Sequence, residues 1–487
     1  MSTRAPAGVT RWQELATIVV LFAASRAALR AAGLPFAFSL DWMWLADPAD
    51  LQHDLLRTTY YFHAFPPGMN LLTGLLLKAG GPQAPPLALM VFWALGLVLV
   101  WSLFYLLRAA GLTSRVALVV ATAFSLLPQT LYFEHLYLYE TPVAALLCLS
   151  LALFHAALTR RSWALWLACF SVCAAIGLTR ATFHLVWFGL MLVAALACSG
   201  PLPARRLLAA AAAPAMLLLA LYAKNLVVFG TFGALTYGPA AFANVTVSRL
   251  PAETRSAWIR DGRLSPSAAV SPYASAREYL GPLGSGGPDH EWPEVLTRLD
   301  RPSVHAPNFN HWAILDANRR RAHDAWRYVW SQPLAYLSTV ARGLHDFFTP
   351  TTEWHPRTGT RTSPHHGHRR VLGGYEDGFN QVVHGFPVGP AGLYALLPLA
   401  MVWTGVHGSR LRRAADPAAR ARGALLWMCL LNVAYVVSVS SALTFGESSR
   451  YRFQVEPLIW VMGAIAIAKL VDHVRGGPSL DARQRTP

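Results

Sequence analysis

The sequence is divided by repeated apolar runs, most of them about as long as the 17 to 25 residues that a helix needs to cross a bilayer. These runs cover residues 12–33, 86–107, 116–133, 142–158, 163–179, 183–199, 207–228, 386–405, 423–442 and 454–471. A further apolar stretch, 67–78, is too short to cross comfortably. Only 14% of the residues are charged, against roughly 25% in soluble domains. The pattern predicts an all-α polytopic membrane protein with about 10–11 transmembrane helices.

The formal net charge of +16 arises from short arginine clusters between the apolar runs. Such clusters are typical of the cytoplasmic loops of membrane proteins, so no nucleic-acid partner is expected. If the 67–78 stretch does not cross, all of these clusters lie in the cytoplasm: Arg4 with Arg11, Arg108 with Arg115, Arg160 with Arg161, Arg205 with Arg206, and the run 410–422. If it crosses fully, the later clusters move outside unless another crossing restores them.

The same topology places segments 34–85, 134–141, 180–182, 229–385 and 443–453 together on the outer face. It divides the chain into an N-terminal transmembrane module over 1–228 with a first outer loop at 34–66, a large outer loop over 229–385, and a C-terminal transmembrane module over 386–487. The stretch 315–348 is amphipathic, which predicts a pair of helices along the membrane surface. The first run resembles a signal peptide, but it contains Arg26 and Arg30 and has no clear cleavage site, so a retained span is expected.

Acidic residues are interleaved with tryptophans in the first outer loop, where Asp41, Asp47 and Asp54 precede His63 and a Pro66-Pro67 pair. A carboxylate at the lipid boundary ionises at a higher cost, which makes each of these acids a candidate general base. Alternatively, Asp47 caps a short helix that begins at Pro48, and Asp54 is solvated. The proline pair predicts a turn that fixes His63, either as a site residue or as a hydrogen-bonded tether.

Other ionisable residues cluster at the predicted outer ends of the spans. Glu134, His135 and Glu140 lie at membrane depth, where such groups are functional candidates by default, although helix-end residues that reach the interface explain them equally well. Arg180 and Lys224 break the rule that cations lie inside, which suits a phosphate ligand or snorkelling to lipid headgroups.

Further candidates for binding an anionic ligand are Asn225, which follows Lys224, and the group Glu447, Arg450 and Arg452 before the last span. An internal ion pair of Glu447 with Arg450 is the alternative for the last group. The histidine run at 365–368 has no accompanying Asp or Cys pattern, so no metal site is predicted there.

These features together resemble the GT-C superfamily of integral-membrane glycosyltransferases, nearest to its protein O-mannosyltransferase and aminoarabinose transferase branch. The resemblance is carried, in order, by the acidic loop that ends in His63-Ala-Phe-Pro66-Pro67, the 134–142 segment, Lys224-Asn225 through Phe229-Gly230, and the 447–457 segment. It implies a GT-C-like helical bundle that transfers a sugar from a polyprenyl-phosphate donor, on the outer face, to a glycan, lipid or protein acceptor.

The resemblance also implies roles for residues. An acid of the first loop acts as the base, and Asp41 is preferred for its distance upstream of His63. Where the mannosyltransferase branch has an Asp-Glu pair, Trp42 follows Asp41 here, so Asp47 and Asp54 stay candidates. The four cations that would neutralise the leaving phosphate are Arg180, Lys224, Arg450 and Arg452.

No cofactor is predicted. The resemblance does not decide whether a divalent cation is required, because the superfamily has members with and without one. The expected location is a bacterial cytoplasmic membrane, with membrane lipids around the spans and the active site outside. A transporter or flippase, or a polymerase of lipid-linked glycans, is the alternative function. A transporter would show ionisable residues near mid-membrane and internal repeats.

Overall fold

The computed structural model describes residues 11–199, 203–283, 292–348, 364–384, 389–444 and 446–475, and these fold almost entirely as helices. The first half contains α1 Arg11–Ala31, α2 Pro48–His53, α3 Leu55–Tyr61, α4 Gly68–Gly80, α5 Ala84–Ala109, α6 Ser114–Ser125, α7 Pro128–Glu134, α8 Glu140–Arg160, α9 Trp163–Thr179, α10 Leu185–Cys198 and α11 Ala204–Phe229. The second half contains α12 Gly238–Val245, α13 Ala252–Arg260, α14 Ala276–Leu283, α15 Glu294–Thr297, α16 Trp312–Ser331, α17 Pro333–Phe347, α18 Pro364–His384, α19 Gly389–Arg412, α20 Pro417–Leu443 and α21 Ser448–Val474. A two-stranded antiparallel ladder, β1 Asp300–Arg301 with β2 Ala306–Pro307, completes the fold.

Each predicted apolar run coincides with a helix or, for 116–133, with the pair α6 and α7. Within the described ranges, five helical segments are long and apolar enough to cross a membrane: Gly68–Ala109, Glu140–Arg160, Ala204–Phe229, Pro417–Leu443 and Ser448–Val474. The pair α6 and α7, bent by 60°, raises the number to six, and α9 and α10 are shorter apolar helices. The chain is therefore an all-α polytopic membrane protein.

The short 67–78 run forms α4, which a turn at Gly81 separates from α5. Gly81 has a φ of +48°, a conformation that favours glycine. At 1.5 Å per residue, the 42 residues of Gly68–Ala109 would extend about 63 Å, twice the thickness of the hydrocarbon layer. The segment is therefore longer than one crossing needs. Helix α4 contacts the 34–66 loop through Asn70, whose Oδ1 accepts from the Ala46 N–H and whose Nδ2 donates to the Trp44 carbonyl oxygen.

Helix α8 lies at the centre of the bundle and packs against α5, α9, α20 and α21. Its inward positions include small residues such as Ala144 and Ala145, which are fully buried and allow neighbouring helices to approach closely. Helices α19 and α20 cross at two glycines, where a Cβ on Gly423 would lie only 2.6 Å from the carbonyl oxygen of Gly408. Small residues thus allow close helix packing at both places.

The large loop also folds into helices that pack on the bundle. The predicted amphipathic pair at 315–348 corresponds to α16 and α17. Helix α16 packs against α12, and α17 packs against α20 and α21. The side chains of Trp330 and Leu334 stay exposed at the α16–α17 junction, as expected for a segment that contacts lipid.

Candidate functional site

A small cavity of about 100 Å³ lies where the 34–66 loop meets the beginning of α8, the end of α9 and the beginning of α21. Aromatic and polar side chains line it together: Trp44, Tyr139, Arg180, Thr182 and Tyr451. Four chain segments far apart in sequence supply these five residues. The cavity therefore forms only in the folded protein.

Arg180 is the cation that faces this cavity. Helix α9 ends here because Arg180 is extended, with its N–H still bonded to the carbonyl oxygen of Ile176. Its guanidinium carbon lies 3.9 Å from the ring centroid of Tyr139 and 4.4 Å from that of Tyr451. Its Nε and Nη2 are buried and have no hydrogen-bond partner. Cation–π contacts hold the faces of this cation, while two strong donors on its edge have no acceptor among the described residues of the protein.

Arg450 lies beside Arg180 but is compensated by carboxylates. Its Nε is 3.2 Å from Oε1 of Glu140, and its Nη2 donates to Oε2 of Glu447 at 3.0 Å and to the Tyr139 hydroxyl at 2.9 Å. The ion pair of Glu447 with Arg450, one of the two interpretations of this segment, is thus present. Because Arg450 also holds Tyr139, it positions the ring on which Arg180 rests.

The 34–66 loop is clamped by Arg301, a buried residue of β1. Its guanidinium donates to four backbone carbonyls of the loop, those of Leu40, Asp41, Trp42 and Leu45. Sequence reasoning missed Arg301, since no local pattern distinguishes it from the other arginines of the large loop. The clamp fixes the backbone of the loop without using a side chain of the loop.

Asp41 is an exposed acid in the part of the loop whose backbone Arg301 clamps. Just after it, Trp42 stacks on Trp44 with ring centroids 4.7 Å apart, and Trp44 contacts Tyr139 edge-on at 5.1 Å. A continuous ladder of aromatic rings therefore connects the loop that carries Asp41 to the ring beneath Arg180.

The other two candidate bases have structural roles. Asp47 caps α2 through the Ala49 N–H at 2.9 Å and also accepts hydrogen bonds from the backbone N–H and hydroxyl of Ser303. Burial raises the cost of its charge, but these hydrogen bonds and the nearby Arg298 hold the pKa of Asp47 below its usual value. The structure thus shows the alternative role of Asp47, a cap on a helix that begins at Pro48, and the exposed Asp54 caps α3 through the N–H of Arg57.

His63 is a buried tether. Its Nδ1 lies 2.6 Å from the Thr236 hydroxyl, and its Nε2 lies 3.0 Å from the carbonyl oxygen of Asn310. Burial, together with the charge of Lys224, lowers the pKa of His63 to about 3. The imidazole is therefore neutral at physiological pH and links the proline turn to the large loop.

Lys224 and Asn225 anchor the same region. The Lys224 ammonium donates to the carbonyl oxygens of Tyr60 at 3.1 Å and Phe62 at 3.0 Å, which end helix α3. The Asn225 amide donates to the carbonyl oxygen of Gly233 at 2.6 Å. Neither residue lines the cavity.

Glu134, His135 and Arg452 also lie outside the cavity lining. Oε1 and Oε2 of Glu134 accept hydrogen bonds from Arg26 at 2.8 and 2.6 Å. His135 Nδ1 lies 2.9 Å from the carbonyl oxygen of Leu131, and Arg452 pairs with Glu456 at 2.8 Å.

Of the predicted site residues, the structure thus brings Glu140, Arg180, Glu447 and Arg450 together, with Asp41 on the adjoining loop. Among the described residues, no group of three or more His, Cys, Asp or Glu is placed to hold a metal ion.

No family model matches the chain, and no curated protein matches it either. Three solved structures of the Archaeoglobus fulgidus oligosaccharyltransferase are similar: a complex with zinc and sulfate, an apo form, and a form tethered by a disulfide to an acceptor peptide with the NVT sequon. Their identities are 12%, 13% and 11%, and their TM-scores are 0.38, 0.38 and 0.37. The matches cover 95%, 96% and 96% of this chain but 50%, 52% and 51% of that protein, so the chain spans about half its length. Scores this low do not establish a common fold or activity.

Proposed function

We propose that this protein is a glycosyltransferase that moves a sugar from a polyprenyl-phosphate donor to an acceptor at the membrane face where Arg180 lies. One observation carries the proposal: a buried arginine with open donors lines a cavity beside a clamped loop that bears an exposed acid. The proposed location is the outer face of a bacterial cytoplasmic membrane. The acceptor is a glycan, a lipid or a protein.

The leaving phosphate of the donor is the group we assign to Arg180. A guanidinium presents a planar edge of donors that matches two phosphate oxygens, and the edge of Arg180 has Nε and Nη2 open. The cavity is large enough for several water molecules, hence for a phosphate but not for a whole sugar. The sugar and the acceptor therefore lie at its mouth, toward the loop that carries Asp41.

Asp41 is the proposed general base. Its carboxylate accepts the proton of the acceptor hydroxyl, whose oxygen forms the new bond to the anomeric carbon of the sugar. The bond from that carbon to the phosphate oxygen breaks, and its electron pair leaves with polyprenyl phosphate. Arg180 stabilises the charge that develops on this phosphate, and because it is already fixed by Tyr139 and Tyr451, little reorganisation is needed.

The test supplies the purified protein in lipid with a panel of radiolabelled polyprenyl-phosphate monosaccharides and an extract of membrane glycans, lipids and proteins as acceptor. We expect the wild type to transfer label from one donor, and Asp41→Asn to lower the rate by about 10² to 10⁴-fold through loss of the base. Asp54→Asn is the matched control, because it makes the same change on an exposed capping residue, and should transfer at the wild-type rate. Full activity of Asp41→Asn would refute the assignment of the base, and no transfer by the wild type from any donor would refute the function.

A further inference from the structure

A second polar cavity lies at the opposite end of the bundle from Arg180, and nothing in the proposed reaction uses it. Its volume is about 670 Å³, and its charged and ionisable lining comprises Arg108, His155, His407, Arg410, Asp416 and Arg422. We refer to this cavity as the basic pocket. Helix α8 contributes Glu140, which pairs with Arg450 beside Arg180, and Thr159, which lines the basic pocket. These two residues are about 28 Å apart at 1.5 Å per residue. The two sites are thus separated by about the thickness of a hydrocarbon layer.

The arginines of the basic pocket come from three helices and converge on one volume. Arg108 is in the last turn of α5, Arg410 is near the end of α19, and Arg422 is in the second turn of α20. Nη1 of Arg108 donates to the carbonyl oxygen of Leu112 at 2.6 Å, which fixes the guanidinium group at the α5–α6 turn. Arg108 and Arg410 are exposed and Arg422 is half-buried, but all three line a single concavity.

The one carboxylate in the described lining of the basic pocket, that of Asp416, is already engaged in hydrogen bonds. Asp416 caps α20, with Oδ1 accepting from the N–H of Ala418 at 3.0 Å and Oδ2 from that of Ala419 at 3.1 Å. Three guanidinium groups against one carboxylate leave the lining with an excess of positive charge. The helix N-terminus is satisfied by its own cap, so the attraction for an anion comes from the arginine side chains.

The walls of the basic pocket are rigid and carry further hydrogen-bonding groups. The tight crossing of Gly408 with Gly423 fixes α19 against α20, and with it the spacing of Arg410 and Arg422. On the other wall, His155 Nδ1 lies 3.0 Å from the hydroxyl of Tyr105. A preformed cationic pocket between transmembrane helices is the arrangement that suits a phosphate headgroup.

We infer that the basic pocket binds a phosphate group, carried by an anionic phospholipid of the adjoining leaflet or present as free phosphate. The inference is independent of the proposed glycosyl transfer, because it concerns the other end of the bundle and its test measures binding. The ligand bridges α5, α19 and α20 and so fastens the C-terminal helices to the N-terminal ones.

The experiment titrates purified full-length protein in a non-ionic detergent, by calorimetry, with dihexanoyl phosphatidylglycerol, dihexanoyl phosphatidylcholine or inorganic phosphate. The test variant is the triple change Arg108→Gln, Arg410→Gln and Arg422→Gln. The control variant, Arg115→Gln, Arg160→Gln and Arg413→Gln, removes the same charge from exposed residues at the same end of the bundle but outside the pocket lining.

We expect phosphatidylglycerol to bind the wild type and the control variant alike, and its affinity to fall by at least about tenfold in the test variant. Zwitterionic phosphatidylcholine should bind far more weakly. Binding of inorganic phosphate alone, with the same dependence on the three arginines, would support the free ion as the ligand. If the test variant does not fold, Arg410→Gln alone, on an exposed side chain, should still weaken binding. The inference fails if no phosphate compound binds the wild type, or if the test and control variants lose affinity equally.

Discussion

Two buried arginines of this protein, Arg26 and Arg180, differ in how their hydrogen-bond donors are used. Arg26, 1% exposed, donates to both carboxylate oxygens of Glu134 and to the hydroxyl and carbonyl oxygens of Ser125. Arg180, 8% exposed, rests between two tyrosine rings while its Nε and Nη2 have no acceptor. Burial of a charge is costly unless its donors are satisfied. Arg26, whose donors are satisfied, therefore has a structural role. Arg180, whose Nε and Nη2 have no acceptor and which lines a cavity, is suited to bind an anion.

The largest expected effect is on the satisfied pair. Glu134→Gln leaves the Arg26 charge buried without its counterion, so the free energy of unfolding should fall by about 3–5 kcal/mol, as for other broken buried ion pairs. Thermal unfolding of the purified protein measures the loss. An unchanged unfolding temperature would show that Arg26 is solvated, and the contrast between the two arginines would disappear.

The second largest effect is expected for Arg180, whose Nε and Nη2 have no acceptor. A change here should lower the transfer rate and not the free energy of unfolding. Arg180→Gln removes the charge that stabilises the leaving phosphate, so the transfer rate should fall by about 10²- to 10³-fold. Arg180→Lys should retain part of the rate, because an ammonium supplies the charge but not the planar pair of donors. If Arg180→Gln lowers stability as much as Glu134→Gln and leaves the rate of the folded protein unchanged, Arg180 is structural after all.

The smallest of the three effects concerns the capping acid. Asp47→Ala removes the α2 cap and the bonds to Ser303, which should cost about 1–2 kcal/mol of stability at neutral pH. The pKa of Asp47 is lower in the folded than in the unfolded state, so its contribution is complete above the unfolded pKa and is lost as the pH falls through the folded pKa. The stability difference between wild type and variant should therefore shrink in acid. A constant difference from pH 7 to pH 2 would contradict this role.

The sequence predicted features that depend on neighbouring residues. Hydropathy located the helices, because each span must bury an apolar length of its own chain. The cap by Asp47 before Pro48 and the Glu447–Arg450 pair, three residues apart, were the alternatives that the sequence offered beside catalysis and anion binding. Each of these interactions is contained within a few residues, so the local pattern is sufficient to predict it.

Contacts between distant segments could not be predicted in this way. Arg26 indicated from the sequence that the first apolar run is not a signal peptide. Its ion-pair partner, Glu134, could not be identified in the same way because it lies 108 residues away. Lys224 and Arg180 looked alike as misplaced cations, but Lys224 is bound to carbonyls more than 160 residues away. Arg301 reaches back about 260 residues to clamp the loop of Asp41. Which cation keeps open donors is decided by packing, and packing leaves no local pattern in the sequence.

The most direct test of the central claim is the equilibrium binding of polyprenyl phosphate, the proposed leaving product, to purified wild type and Arg180→Gln, with unfolding temperature measured on the same samples. The account predicts an affinity about 10- to 100-fold weaker for Arg180→Gln, since a charge-assisted contact to phosphate is lost, with little change in unfolding temperature. Equal affinity of the two folded proteins for polyprenyl phosphate would contradict the assignment of Arg180 as the phosphate ligand.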